Sequence, residues 1–208
     1  MYKRPGIYTS IDSGGTWNNT DASNARWRSV ASSSDGTKVV AVVGDGGIWY
    51  SHDSGVTWNN SDASDANWIS VACSSDGAKV VAVVFGGGIY RSNDSGVTWN
   101  KSDASNMYWT SVASTSDGTK VVAVGLGGIH ISHDSGQTWD KSDVSNNLWQ
   151  SVAISSDGNN IVAVVGAAVS GTEGGGIWHS YDSGVTWNKS DVSNADWKSV
   201  ACSSDGAK

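Results

Sequence analysis

Residues able to carry acid–base or ligand chemistry are few in kind and mostly periodic. Of the 20 acidic residues one is a glutamate, Glu173, set in the glycine-rich stretch from Gly171 to Gly176. Five of the aspartates, Asp12, Asp53, Asp94, Asp134 and Asp182, occupy one position of five octapeptides: SIDSGGTW, SHDSGVTW, SNDSGVTW, SHDSGQTW and SYDSGVTW. Two carboxylates of different pKa could cleave a glycosidic bond. An aspartate repeated in every copy of a Ser/Gly-rich turn has a simpler task, accepting bonds from the turn's own amides. His52 and His133 also share one position of this octapeptide. They read as solvent-facing turn residues, since metal ligands must converge within a few ångström and separate repeats do not supply that. No metal or other cofactor is expected.

The basic residues are less evenly spread. Lys3, Arg4, Arg26, Arg28 and Lys198, five of the 13 lysines and arginines, fall in corresponding loops of two neighbouring repeats. Arginine offers a planar fork to carboxylate, sulfate or phosphate, and Trp27, between the two arginines, offers a stacking face. Tyr108 holds the position equivalent to Arg26 two repeats later. These seven residues, Lys3, Arg4, Arg26, Trp27, Arg28, Tyr108 and Lys198, are the candidate ligand-binding set. A solvated cluster of charges is the bland alternative.

The elements that must position them follow from the periodicity. The octapeptides start at residues 10, 51, 92, 132 and 180, and ten residues after each closing Trp (Trp17, Trp58, Trp99, Trp139, Trp187) stands another: Trp27, Trp68, Trp109, Trp149 and Trp197. Each of the second series opens a Trp-x-Ser-Val-Ala segment ending in Ser-Asp-Gly. Within one repeat, Trp68 to Ser74 predicts a first strand and Ser75-Asp76-Gly77 a tight turn. Lys79 to Val84 predicts a second strand, Gly88 to Ser92 a third and Val97 to Lys101 a fourth. Four short strands per unit of about 40 residues, repeated in line, predict a β-propeller. Trp197 to Lys208 would supply a first strand and residues 1–19 a third and fourth. The expected fold is therefore all-β: one domain, residues 1–208, a five-bladed propeller of four-stranded antiparallel blades with one blade built from both termini.

Closing the ring from Trp197 to Trp27 leaves 38 residues where 41 are usual, the equivalents of Val80, Val81 and Ala82 being absent. That seam should be the weakest. A closed monomer is expected, with oligomerisation through an open seam as the alternative.

Composition agrees with strands and turns. The 208 residues include 26 Gly, 12 Trp and a single Pro, with 16% charged residues and a net charge of −7. An acidic chain makes a poor phosphate track, so nucleic acid is not an expected partner. No apolar run reaches the roughly 18 residues of a membrane helix, and no secretory leader is visible before the first strand; the compartment stays open. Cys73 and Cys202 hold the same repeat position and read as small buried thiols.

The motif Ser-x-Asp-x-Gly-x-Thr-Trp, complete in all five copies, resembles the Asp-box, or BNR repeat, of sialidases, some cell-wall glycosidases, sortilin-type receptors and photosystem II assembly factors. The resemblance implies a propeller in which the five Asp-box aspartates and Trp17, Trp58, Trp99, Trp139 and Trp187 are scaffold, in hairpins between third and fourth strands and away from the ligand face. A sialidase would need an arginine triad, a Tyr nucleophile partnered by Glu and an Asp acid, in six blades; here the usual Arg-Ile-Pro motif is matched faintly by Tyr2-Lys3-Arg4-Pro5 and Glu173 lies in a glycine-rich loop. The chain is accordingly expected not to be an enzyme.

The copies differ around the repeated Trp and in the loop after the second strand: Gly44-Asp45-Gly46, Phe85-Gly86, Leu126-Gly127, Gly166 to Gly176 and Lys3-Arg4-Pro5. Variable loops on a rigid scaffold are where binding residues sit. The expected function is a non-catalytic module binding carbohydrate or an acidic ligand on this variable face. The alternatives are a protein-docking or assembly scaffold, or an engineered or excised repeat segment with no ligand.

Overall fold

The computed structural model describes residues 6–144, 148–166 and 175–207. Their regular elements are all β-strands, and the sequence repeat is the structural repeat. A short hairpin, β1 (Tyr8–Thr9) and β2 (Asn18–Asn19), comes first. Blade one is β3 (Trp27–Ser32), β4 (Val39–Gly46), β5 (Ile48–Ser51) and β6 (Asn59–Asn60); blade two is β7 (Ala66–Cys73), β8 (Val80–Gly87), β9 (Ile89–Ser92) and β10 (Asn100–Lys101). Blade three is β11 (Met107–Ser114), β12 (Val121–Leu126), β13 (Gly128–Ser132) and β14 (Asp140–Lys141); blade four is β15 (Trp149–Ile154), β16 (Ile161–Val165), β17 (Gly176–Ser180) and β18 (Asn188–Lys189).

Each blade is an antiparallel meander in chain order. Neighbouring blades also touch edge to edge where a second strand runs on to meet the next first strand: Gly44 opposite Asn67, Phe85 opposite Tyr108, and a single bridge between Leu126 and Leu148.

The second strands make the blades stack. Alternate residues of a strand point to opposite faces, and in β8 both faces are apolar: Val80, Ala82 and Val84 pack with Val40, Val42 and Ile48 of blade one, while Val81 and Val83 pack with Trp109, Val112 and Val121 of blade three. Blades three and four meet in the same way through Val122, Val124, Ile161 and Ala163. The core is thus a series of layers between blades.

The first-strand tryptophans anchor these layers. Trp68, Trp109 and Trp149 are fully buried, and each ring lies edge-on to the aromatic residue of the third strand: Trp68 on Tyr90 at 5.1 Å, Trp109 on His130 at 5.1 Å, Trp149 on Trp178 at 6.2 Å. Of the third-strand aromatics His130 is buried, Trp49, Tyr90 and Trp178 are partly buried, and Tyr8 is exposed. A bulge after each first-strand Trp, between Trp68 and Ser70 for example, shifts the register. The Ser beyond it accepts a bond from the next blade, so that Ser29, Ser70, Ser111 and Ser151 Oγ take the amides of Val71, Val112, Val152 and Val200.

Three expectations differ from the structure. Gly44-Asp45-Gly46, Phe85-Gly86 and Leu126, expected in the loop after the second strand, extend β4, β8 and β12 instead, because they pair with the first strand of the next blade or the residue before it. The fourth strand of blade two is Asn100–Lys101, not Val97 to Lys101, because the Thr98 amide goes to the Asp94 carboxylate and the Trp99 amide to that of Asp62 in the preceding blade. Donors spent on side chains cannot join a ladder. Residues 193–203 likewise form no strand, although they pack on blade four through Val200 and through the Ser156 amide, which donates to Ser204 O at 2.8 Å. Their expected partner strand falls on Lys208 and residues 1–5, outside the described residues. The hairpin β1–β2 sits ahead of blade one as an outer half-blade, with Asp21 accepting the Trp58 amide as Asp62 accepts that of Trp99. Among the described residues this half-blade and the C-terminal segment do not pair.

The burial of Trp109 predicts that Trp109→Ala costs about 3 to 5 kcal/mol of unfolding free energy. Val56→Ala, at an exposed position of an octapeptide turn, stays within about 0.5 kcal/mol. Urea unfolding followed by circular dichroism measures both.

Candidate functional site

The Asp-box copies are built alike, and their chemistry is that of a clasp. In the second copy Asp53 Oδ1 accepts from Ser51 Oγ at 2.7 Å and from the Thr57 amide at 2.8 Å, and Oδ2 accepts from Thr57 Oγ at 2.6 Å. Ser51 Oγ in turn accepts the Gly55 amide, and Trp58 Nε1 donates to Gly55 O at 3.0 Å. The clasp holds two successive residues in the left-handed region, Ser54 at φ 61° and Gly55 at φ 80°. The glycine was legible in the motif; the serine, at φ 58° to 63° in all five copies, was not. The Trp of the motif is buried in Trp58, partly buried in Trp99, Trp139 and Trp187, and 62% exposed in Trp17.

The other repeated turn lies beside the clasp. The Ser54, Ser95, Ser135 and Ser183 amides donate to Thr37, Ala78, Thr119 and Asn159 O, at the Ser-Asp-Gly turns of the same blades. Both invariant turns therefore occupy one side, and the variable loops emerge on the other.

The clasps set the charge state of their aspartates. The Thr57 hydroxyl, the Thr57 amide and the Ser51 hydroxyl bring Asp53 down from 3.8 to about 2, and Thr186 and Ser180 do the same to Asp182. In the other turn the Ser33 hydroxyl and the Thr37 amide bring Asp35 to about 2. A carboxyl group so acidic is ionised at neutral pH and cannot act as a general acid.

Lys3 and Arg4 lie outside the described residues, as does Glu173. Arg26 is paired with Asp45 at 2.7 Å, and Lys198 with Asp196 at 2.9 Å. Arg28 lies along Gly44, and Trp27 packs on Trp49 and Trp58. Of the histidines, His52 and His133 are exposed as expected. The two cysteines are free thiols, and burial, with Asp76 nearby, pushes Cys73 up to about 11, where it is an inert thiol.

Tyr108 is different, because the structure brings it together with variable residues of three blades. Phe85, from the end of β8, faces Tyr108 with ring centres 5.0 Å apart, and Leu126 lies opposite Tyr108 on its other side. With Thr110, Leu148, Trp149 and Gln150 they line an apolar recess of about 320 Å³ on the variable face. Phe85, Tyr108 and Leu126 are each about half exposed. Residues around Tyr108 were identified in the sequence only as places where the copies differ. Their convergence comes from the edge pairing of β8 with β11 and of Leu126 with Leu148.

No protein-family model matches the sequence, and no curated protein does. Among solved structures, an ancestral GH74 enzyme aligns with a TM-score of 0.74 at 15% identity, covering 93% of this chain and 30% of that one. YCF48 from Cyanidioschyzon merolae aligns at 0.64 with 16% identity, covering 90% and 64%, and YCF48 bound to D1 peptide at 0.59 with 18% identity, covering 79% and 54%. The chain thus spans about a third of the first of these proteins and somewhat over half of the YCF48 chains. At such identities the likeness is one of fold, and the fold is that of a β-propeller repeat protein, all-β with stacked antiparallel blades.

The depressed carboxylates carry a pH prediction. For Asp53 and Asp182 a folded pKa of about 2 against 3.8 in the ordinary state means that the clasp stabilises the fold fully above about pH 4 and loses that contribution as pH falls towards 2. Urea midpoints measured from pH 7 downwards should hold to about pH 5 and fall steeply below about pH 4. Asp53→Asn should lower the neutral plateau and make the acid limb shallower.

Proposed function

We propose that this chain is a non-catalytic binding module whose variable face docks an extended polypeptide, with an apolar side chain seated in the recess between Phe85, Tyr108, Leu126 and Leu148. The observation that carries the reading is this recess: aromatic and aliphatic, partly exposed, and assembled from the positions at which the repeats diverge. Exposed aromatic clusters on otherwise polar surfaces are interaction sites. A polypeptide fits better than a sugar because hydroxyl-rich ligands need several polar groups, and the wall offers few. Thr110 Oγ1 is already engaged with the Val124 and Trp149 carbonyls, which leaves Gln150 and the Tyr108 hydroxyl among the described lining residues. YCF48, one of the similar structures, is bound to a peptide of D1.

Binding without catalysis rests on the ionised, clasp-bound aspartates and on the one glutamate of the sequence. An acidic ligand at the basic cluster is the weaker reading, since Arg26 and Lys198 already face carboxylates. Carbohydrate binding is a second reading, favoured by the Phe85–Tyr108 pair, on which a sugar ring could stack. The five-bladed arrangement, with its fifth blade shared by the two ends of the sequence, also belongs to this proposal.

The test screens the chain against an array of extended peptides and an array of neutral oligosaccharides. Apolar and aromatic peptides should bind, and Tyr108→Ala should weaken them at least about tenfold with thermal stability nearly unchanged. Oligosaccharides bound in place of peptides would overturn docking in favour of the second reading. Peptide binding indifferent to Tyr108→Ala would remove the recess from it.

A further inference from the structure

We propose that the polypeptide docked in the recess is an uncharged, proline-containing segment in the polyproline II conformation, with prolines three residues apart seated against Phe85 and Leu126. The inference rests on the docking function proposed above and names the chemistry of its ligand.

The recess is built on a row of side chains that strand register sets in line. Tyr108, in the first strand of blade three, lies directly opposite Phe85 on one side and Leu126 on the other, and Leu126 in turn bridges to Leu148. Residues directly opposite one another across paired strands share a face. Paired strands lie about 4.8 Å apart, so the row repeats at about that interval and places Phe85 about 9.6 Å from Leu126. The 5.0 Å between the ring centres of Phe85 and Tyr108 agrees with this spacing. Gly86 and Gly127 follow Phe85 and Leu126 in sequence and add no side chain beside the row.

Of the two extended conformations of a polypeptide, one matches this interval. A β-strand returns a side chain to the same face about every 6.7 Å, which falls between the second and third residues of the row. A polyproline II helix has three residues per turn and rises about 3.1 Å for each, so its faces repeat about every 9.3 Å. That agrees with the separation of Phe85 and Leu126 to within about 0.3 Å. Two prolines three residues apart therefore meet these two side chains, with Tyr108 between them.

Charge and hydrogen bonding select the same occupant. Among the described residues no ionised side chain lines the recess, and an unpaired charge buried against such a wall is costly. The Thr110 hydroxyl is committed to the Val124 and Trp149 carbonyls, which leaves the Tyr108 hydroxyl and the Gln150 amide, both able to donate. A polyproline II backbone makes no hydrogen bonds of its own, so its carbonyls are free to accept from these two groups. Proline carries no N–H, whereas a strand laid on the same apolar wall would leave amides without partners. Its fixed φ also lowers the cost of ordering the ligand.

Calorimetric titration of the 208-residue chain with three uncharged peptides of equal length tests the assignment. The first carries Pro-x-x-Pro with neutral x, the second has its two prolines four residues apart, and the third has leucine in place of both prolines. The first should bind at least about tenfold more tightly than either of the others. Leu126→Ser, at a half-exposed position, should weaken the first peptide at least about tenfold and abolish the preference for its spacing, with the thermal midpoint nearly unchanged. A leucine peptide bound as tightly as the first, equal binding at both proline spacings, or a spacing preference that survives Leu126→Ser overturns the polyproline II assignment and leaves docking of a polypeptide standing. Absence of binding by all three peptides overturns both.

Discussion

A strand that is apolar on both faces has no stable place at a surface, and this constraint governs the molecule. Val80 to Val84 has no polar side to turn towards water, and its counterparts in the other three blades are nearly as uniform. A four-stranded sheet built around such a strand must be covered twice, once by the blade before and once by the blade after. Stacking is therefore a condition of folding for each blade, as in other repeat proteins, where a single unit cannot bury its own apolar surface. The fully buried Trp68, Trp109 and Trp149 enlarge each covered layer and fix how closely the blades approach.

The same constraint makes the ends of the array unlike its middle. Val30, Tyr8 and Trp17 are residues of ordinary repeat type, and their exposure comes from what lies beside them. The recess at Phe85 and Tyr108 is of another kind, since its side chains have no counterpart in the other blades.

Division of labour between the two sides of the array follows from hydrogen bonding. On one side the clasps and the Ser-Asp-Gly turns spend their carboxylates and hydroxyls on backbone amides, and the Lys38-type side chains tie one turn to the next. Those residues are fixed by geometry and are poor material for a site. On the other side the loops carry no such obligation, so their side chains can differ from blade to blade. The result is a rigid frame whose turn carboxylates are already committed, and a face whose side chains vary.

Sequence alone determined the repeat, the four-strand unit, the turn position of Asp53 and its equivalents, and where the repeats vary. Local patterning carries these, because strand propensity, turn chemistry and the spacing of tryptophans are all written within about 40 residues. It missed the left-handed serines and the shortened fourth strands, where a side chain captures an amide that the pattern had given to a ladder. Nor could it assemble the site. It marked Lys3, Arg4, Arg26, Arg28 and Lys198 by their charge, and the structure shows Arg26 and Lys198 held by neighbouring carboxylates. It named Tyr108 without its companions, since Phe85, Leu126 and Leu148 come from separate blades and meet only through edge pairing. The tertiary structure decided that recess, because it depends on the angle and register at which whole blades pack, which local sequence does not encode.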